Sequence, residues 1–185
     1  MININDIKNG MTVEYENNIY VINEFQHVKP GKGPAFVKTK LKNLRTGANI
    51  EITFNTNIKL KRAIIEKQKV QYLYDSGDSC VFMNNDTYEQ IEISKDKISD
   101  EIQLLTENLE VQLTFYENEL LGLELPDKIE MKVIFSDPGV KGNTTSTATK
   151  EAKLETGLLI KVPMFINEGD IIIVSTKDKK YVSRK

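Results

Sequence analysis

The 185-residue chain is 39% hydrophobic and 28% charged, a composition typical of folded globular proteins and unlike that of disordered ones. Its single cysteine and single histidine exclude an internal disulfide and provide no ligand set for structural zinc. The longest aliphatic run, residues 171–174, is too short to span a bilayer, and the first ten residues lack a basic segment followed by an apolar one, so we expect a cytoplasmic protein without membrane contact.

The net charge of −2 conceals an uneven distribution. Residues 1–64 carry 10 Lys/Arg and 5 Asp/Glu, residues 65–126 carry 4 and 14, and residues 127–185 carry 11 and 8. Two basic ends therefore flank an acidic middle. This pattern fits a chain that contacts a polyanion with both ends, because phosphate contacts need local positive charge. Ordinary variation between the surfaces of domains is the alternative.

The first 64 residues predict short strands in "TVEYE", "IYVINEF", "AFVKTKL" and "NIEITF", which alternate or are rich in β-branched and aromatic residues. The stretch "KVQYLYDSGDSCVFMNNDTYEQIEI" has the same pattern and predicts three more strands separated by turns. In "SKDKISDEIQLLTEN" the alternation stops: Ser94 is a candidate helix N-cap, and Ile98, Ile102 and Leu105 fall at helical spacing. A short helix among strands is expected in an oligonucleotide-binding (OB) barrel.

Further strands are predicted in "LEVQLTFYE" and "ELLGLELP", and then in "KIEMKVIF", "GLLIKVPMFI" and "GDIIIVST". We therefore predict an all-β fold of three consecutive small barrels, with one short helix in the middle one. The predicted domains are residues 1–64, 65–127 and 128–185.

In "HVKPGKGPAFVKTKLKN" two strand-like runs flank a short connection, which is the form of a β-hairpin. The glycines beside Lys32 remove neighbouring side chains and permit positive φ, while Pro30 and Pro34 restrict the backbone. We expect a semi-rigid tip that ends in one exposed amine. Every second residue of the next strand is basic, so Lys38, Lys40 and Lys42 are predicted to share one face that can follow a phosphate backbone. A plain solvent-exposed turn is the alternative.

Few reactive groups are available for catalysis. Cys80 occupies an alternating strand position and is expected to be buried and inert, and His27 can assist it only if the two fold together. The "PGKGP" loop lacks Walker spacing, since strand-like residues follow it. We expect no enzymatic activity, no cofactor and no metal; an enzyme that depends on Cys80 or His27 is the alternative.

Three stretches, "KPGKGPAFVKTKLKNLRTG", "YLYDSGDSCVFMNNDTYEQ" and "ATKEAKLETGLLIKVPMFINEGDIIIVSTKDKKYVSRK", resemble the signatures of the bacterial elongation factor P family in the same order. The resemblance implies an SH3/KOW-like barrel and two OB-type barrels in an elongated L shape similar to tRNA, related in the first two domains to archaeal and eukaryotic initiation factor 5A. It implies a monomer that binds both subunits of the ribosome between the peptidyl and exit sites, contacts peptidyl-site tRNA and stimulates peptide-bond formation at consecutive prolines. An elongation-factor-P-like paralogue and a generic RNA-binding barrel protein remain alternatives.

The resemblance also implies roles for individual residues. Lys32 would be the tip directed at the peptidyl-transferase centre, and Lys29 with the strand lysines would contact RNA. Tyr181 and Arg184 match a terminal motif attributed to the small subunit and the tRNA anticodon arm. The loop that contains Gly142, Asn143 and Thr144 corresponds to a loop that contacts exit-site mRNA in the family. The family usually has aspartate where this chain has Asn143. The tip loop itself comprises Lys29, Pro30, Gly31, Gly33 and Pro34 around Lys32.

In many family members an enzyme extends the tip residue by modification. Here the tip reads Pro30-Gly31-Lys32-Gly33-Pro34, a palindrome that resembles the subgroup thought to use an unmodified lysine. We hypothesise that Pro34 stiffens the loop enough to replace an extension. A Lys32-modifying enzyme as a further partner is the alternative.

Overall fold

The computed structural model describes residues 1–138 and 148–185, which form three β-sheets connected by turns and short 3-10 segments. The predicted all-β architecture is confirmed. Within the part of the chain that the structure describes, no helix is long and apolar enough to cross a membrane.

The first sheet has six strands in the order β1-β6-β2-β3-β4-β5, and all neighbouring strands in it are antiparallel. A 3-10 segment, Ile4–Asp6, follows the first strand and buries Ile4. The sheet curves around a core that includes Ile22, Val37 and Leu41. Its strands are β1 (Ile2–Asn3), β2 (Thr12–Tyr15), β3 (Asn18–Val28), β4 (Phe36–Asn43), β5 (Asn49–Asn55) and β6 (Lys59–Arg62).

The second sheet has five strands in the order β11-β10-β7-β8-β9. Phe82, which is fully buried, packs edge-on against Tyr72 with ring centroids 5.5 Å apart. Its strands are β7 (Glu66–Asp75), β8 (Ser79–Asn84), β9 (Gln90–Ser94), β10 (Glu110–Tyr116) and β11 (Glu119–Glu124).

The short helix predicted after β9 is present as two 3-10 segments, Lys95–Ile98 and Ile102–Leu104. Ser94 occupies the predicted N-cap position of the first segment, but its side chain makes no capping hydrogen bond. Ser94 is also the last residue of β9, and the next N–H, that of Lys95, donates to the Asp78 carbonyl at 3.0 Å. Two of the apolar residues whose spacing predicted the short helix, Ile98 and Leu105, are buried.

The third sheet has five strands in the order β14-β13-β12-β15-β16. Its outer strands β14 and β16 also contact each other, so the sheet curls into a nearly closed barrel. The barrel encloses Met131, Leu154 and Ile172 among other apolar residues. Its strands are β12 (Lys128–Ser136), β13 (Thr149–Leu154), β14 (Leu159–Pro163), β15 (Ile171–Ser175) and β16 (Lys180–Arg184).

The described residues group into two compact units, and the first combines residues 1–67 with residues 114–122. The second segment is the end of the β10–β11 hairpin, and its Tyr116 is buried with Ile19 and Ala63. Arg45 donates from Nε and from a terminal nitrogen to the two carboxylate oxygens of Glu119, at 2.9 Å each. This paired geometry is the strongest form of arginine–carboxylate contact.

A second polar contact ties the same hairpin end to β2. The Tyr116 hydroxyl donates to the Glu14 carboxylate at 3.0 Å, and the Lys61 ammonium lies 3.0 Å from the same oxygen. The hydrogen bond from Lys61, followed by that from Tyr116, lowers the pKa of Glu14. The charged carboxylate is therefore the form that the folded first unit favours.

The second unit comprises residues 68–113 and 123–185. Leu104, from the second 3-10 segment, is buried in the same cluster as the interior of the third sheet. The Thr156 hydroxyl donates to the Gln103 carbonyl at 2.5 Å, which fixes the turn after β13 beside that segment.

The Glu14 contacts predict a dependence of stability on pH. A carboxyl whose pKa is lowered by folding stabilises the folded state above the ordinary glutamate pKa of about 4.3, and this contribution is lost as pH falls through the folded value. We expect Glu14→Gln to reduce the free energy of unfolding at pH 7 and to flatten its decline between pH 5 and 3, measured by urea unfolding followed by circular dichroism. Glu168→Gln, at an exposed turn of the second unit, is the control and should leave the pH profile unchanged. Identical profiles for Glu14→Gln and the parent protein would contradict the assignment.

Candidate functional site

The hairpin formed by β3 and β4 carries the predicted tip. The two strands pair from Tyr20 opposite Asn43 as far as Val28 opposite Phe36, and the loop 29–35 has no strand pairing. Every residue from Lys29 to Pro34 is exposed. The ladder thus extends to the base of the loop and holds the tip residues out in solvent.

The two glycines that flank Lys32 differ in conformation. Gly33 has φ +99°, a value that residues with a side chain rarely adopt, whereas Gly31 is outside the positive-φ region. A Cβ placed at either glycine would meet no atom within 4 Å. Gly33 is therefore required by the shape of the loop itself, and Gly31 leaves open space beside Lys32.

The Lys32 ammonium has no intramolecular partner in the described part of the chain. The ion pairs there are formed by other lysine and arginine side chains. The charge of Lys32 is therefore uncompensated and available for an external anion or hydrogen-bond acceptor.

A β-bulge in β3 determines which side chains stand beside the basic face of β4. Ile22 lies opposite Leu41 and Glu24 lies opposite Lys40, so Asn23 is an extra residue. In a regular strand residues 22 and 24 would share a face. Because of the bulge they face opposite sides of the sheet, so Ile22 is buried and Glu24 is exposed. The sequence pattern gave no sign of this bulge, because "VINEF" is equally compatible with a regular strand.

The basic face of β4 forms as predicted, since Lys38, Lys40 and Lys42 are exposed and the residues between them are buried. Thr39, on the buried side, donates its hydroxyl to the Ile52 carbonyl of β5 at 2.7 Å. The alternation thus leaves the three ammonium groups on the outer surface of the sheet.

The three strand lysines do not have equivalent surroundings. Lys40 lies 2.9 Å from Glu24, whose hydrogen bond raises the pKa of Lys40, and Glu51 is its other cross-strand neighbour. By contrast, the cross-strand neighbours of Lys38 and Lys42 are uncharged: Gln26 and Thr53 for Lys38, Val21 and Asn49 for Lys42. Two of the three cations are therefore open to an external anion, and Lys40 is partly neutralised.

The two C-terminal candidates both belong to β16 but differ in burial. Tyr181 is half-buried and packs against the core of the third sheet. Arg184 is exposed, and its guanidinium carbon lies 5.3 Å from the centre of the Phe165 ring. Phe165 was not singled out from the sequence, where it reads as one more apolar residue near a strand. The loop candidates Gly142, Asn143 and Thr144 lie outside the described residues.

The two residues considered for enzyme chemistry, Cys80 and His27, pack against other side chains. Cys80 is fully buried, as expected, and burial raises the pKa of its thiol. His27 packs edge-on against Phe25, with ring centroids 5.6 Å apart. Among the described residues, no group of three or more His, Cys, Asp or Glu side chains is arranged to hold a metal ion.

Comparisons with known proteins agree with this architecture. Residues 3–60 match the elongation factor P KOW-like domain, residues 65–123 the elongation factor P OB domain, and residues 129–184 the elongation factor P C-terminal domain. A relative named elongation factor P, from Phytoplasma australiense, is 55% identical over 100% of this chain and 98% of its own length.

Two solved structures are similar at low sequence identity. A translation initiation factor eif-5a family protein from Naegleria fowleri is 16% identical, with a TM-score of 0.52 over 67% of this chain and 96% of its own. The eukaryotic translation initiation factor 5A from Methanococcus jannaschii is 24% identical, with a TM-score of 0.49 over 68% and 90%. The first of these supports the fold alone.

The KOW-like and OB domain matches, together with the 55% identical relative, define a translation elongation factor. The chain belongs to the bacterial elongation factor P family, since the three domain matches together span most of it and the 55% identical relative matches it throughout.

The difference between the two tip glycines gives a test of loop geometry. In Gly33→Ala a side chain would be forced into positive φ at a cost of about 1–2 kcal/mol, so we expect the loop to change shape. Gly31→Ala is the matched control, since neither φ nor contacts oppose the added methyl group. Amide chemical shifts and hydrogen exchange of the non-proline residues of the loop 29–35 should change strongly in the first variant and little in the second. Equal changes in both variants would contradict the described loop.

Proposed function

We propose that the chain binds the ribosome between the peptidyl and exit sites, contacts peptidyl-site tRNA, and stimulates peptide-bond formation where consecutive prolines stall synthesis. The observation that carries this proposal is the exposed Lys32, without an ion-pair partner among the described residues, at the end of the β3–β4 hairpin in a chain of the elongation factor P family. It implies action in the cytoplasm, as a monomer.

The chemistry of the tip supports a positioning role. Proline is a sterically restricted substrate, and a prolyl-tRNA samples geometries that do not react; holding its end still lowers the entropic part of the barrier. An ammonium on a semi-rigid loop can do this by hydrogen bonding and charge alone. We therefore infer that the chain supplies no acid, base or nucleophile, needs no cofactor and is not itself an enzyme.

The remaining candidate residues fit contacts with RNA. Lys29 at the tip, together with Lys38 and Lys42 on the outer face of β4, presents positive charge along one side of the hairpin. Tyr181 and Arg184 would contact the small subunit near the tRNA anticodon arm. The loop that contains Gly142, Asn143 and Thr144 would contact exit-site mRNA.

We further propose that Lys32 acts without modification, because Pro34 restricts the backbone directly after Gly33 and lowers the entropy lost when the tip is ordered. A modifying enzyme would then not be a required partner.

Lys32 provides the central test of this function. Protein whose measured mass equals that of the unmodified sequence should relieve stalling in a reconstituted translation reaction on a message with several consecutive prolines. Lys32→Ala should lose most of this stimulation, by about tenfold or more if one charged hydrogen bond of 1.5–3 kcal/mol is removed.

Two controls separate this outcome from the alternatives. Lys97→Ala removes an equally exposed lysine from the middle domain and should keep full activity. A message without consecutive prolines should be translated equally by all variants. An inactive unmodified parent would overturn the role of the bare lysine, and a Lys32→Ala variant as active as the parent would favour a generic RNA-binding protein.

The unequal surroundings of the strand lysines predict opposite effects on affinity. Lys38→Gln should weaken ribosome binding and lower the salt dependence, because each phosphate contact contributes about 0.7–0.9 to the slope of log affinity against log salt. Glu24→Gln should instead strengthen binding and steepen the slope, because it frees Lys40 for phosphate. Glu89→Gln makes the same charge change in the second unit and is the control. A Glu24→Gln effect no larger than that of Glu89→Gln would rule out competition for Lys40.

A further inference from the structure

Phe165 is an exposed aromatic side chain on a well-fixed loop. The residue is 56% exposed, although the loop between β14 and β15 is anchored beside it. The next residue, Ile166, is fully buried in the core of the third sheet, and its N–H donates to the Pro163 carbonyl at 3.2 Å. Phe165 therefore faces solvent from a fixed backbone position and not from a frayed end.

The rest of this loop is held by hydrogen bonds to itself and to β12. The Asn167 N–H donates to the Asp170 carboxylate at 2.9 Å, and the N–H of Gly169 donates to the Val133 carbonyl at 2.8 Å. The Val133 N–H in turn donates to the Asp170 carbonyl at 2.9 Å. These bonds fix where the Phe165 ring can stand.

Arg184 is held differently from the other fixed cations. In the described part of the chain each ion-paired cation has a carboxylate partner: Glu24 for Lys40, Glu119 for Arg45, Glu14 for Lys61, Asp75 for Lys95 and Glu130 for Lys185. The Arg184 guanidinium instead lies 5.3 Å from the centre of the Phe165 ring. An aromatic face attracts a cation without neutralising it and occupies none of its five N–H donors.

A guanidinium oriented in this way suits a phosphate. Its planar fork binds phosphate through two parallel hydrogen bonds, and less entropy is lost when the fork is already ordered. The surrounding segment is strongly basic, since residues 177–185 contain five Lys/Arg and one Asp. Charge complementarity therefore favours a polyanionic backbone as the occupant.

We infer that Phe165 is a positioning residue that holds the Arg184 guanidinium for contact with an RNA phosphate of the ribosomal complex. This inference rests on the proposed function for its partner, and it adds a residue that the family's terminal motif, as matched here by Tyr181 and Arg184, did not include.

The test measures binding of full-length variants to ribosomes carrying peptidyl-site tRNA, over a series of potassium chloride concentrations. Phe165→Leu keeps an apolar side chain and removes the ring, and should weaken binding about two- to fivefold, the usual strength of an exposed cation–π contact. It should also lower the salt slope toward that of Arg184→Gln. Phe165→Trp should restore both, because indole is the better cation–π partner.

A double-mutant cycle separates positioning from general packing. If Phe165 acts through Arg184, then Phe165→Leu combined with Arg184→Gln should bind no more weakly than Arg184→Gln alone. Leu159→Ala removes a side chain of the same sheet that is 58% exposed and should change neither affinity nor slope. Additive losses, or weaker binding with an unchanged salt slope, would overturn the inference and indicate a protein partner for the ring.

The outcome is distinguishable from failure of the proposed function. At saturating concentrations Phe165→Leu should give full stimulation on the consecutive-proline message, with only the half-maximal concentration raised. Parent protein that does not bind ribosomes would refute the proposed function, whereas a parent that binds and a Phe165→Leu variant that binds equally well would refute only the role of Phe165.

Discussion

The antiparallel pairing of β3 with β4 is the constraint on which the candidate tip depends. The loop 29–35 is exposed from Lys29 to Pro34 and has no buried cluster of its own, so its position is set by the ladder that ends at Val28 and Phe36. The same ladder buries Thr39 and exposes the lysines beside it, and the extra residue Asn23 sets which β3 side chains face them. One set of backbone hydrogen bonds thereby places the tip amine and arranges the charged surface behind it.

Neighbouring carboxylates decide how much of the counted positive charge is available. The first 64 residues contain 10 Lys/Arg, but Lys40, Arg45 and Lys61 each lie within hydrogen-bond distance of a glutamate. Among the described residues Lys32 has no such partner, and the Arg184 guanidinium lies against the Phe165 ring. The cations that no carboxylate neutralises are thus fewer than the residue count indicates.

Local alternation was enough to predict most of the strands and the exposed face of β4, because buried and exposed residues alternate strictly in "FVKTKLKN". The strands β1, β6, β13 and β16 lie in stretches for which no strand was predicted. The bulge at Asn23 and the division of the predicted helix into two 3-10 segments were not predictable in this way, since both result from pairing with other strands and from core contacts. The Arg45–Glu119 contact joins residues 74 positions apart, and the Phe165–Arg184 contact joins a loop to a strand across the third sheet. Such pairs depend on tertiary topology, which single-sequence patterns do not encode. Lys32 became a candidate because of the glycines and prolines around it and because of the family resemblance. Only the structure shows that Lys32 has no ion-pair partner among the described residues.

Residues 114–122 belong to the first compact unit, and this limits where the chain can be divided into fragments or recombined. A fragment that ends at residue 64 would retain Ile19 and Ala63 but lose Tyr116, which covers them, and would leave Arg45 without Glu119. The compact unit that carries the tip is therefore discontinuous in sequence. If the tip-bearing segment were exchanged between homologous genes, the chimeric protein would fold only if residues 114–122 were transferred with it or were already complementary to it.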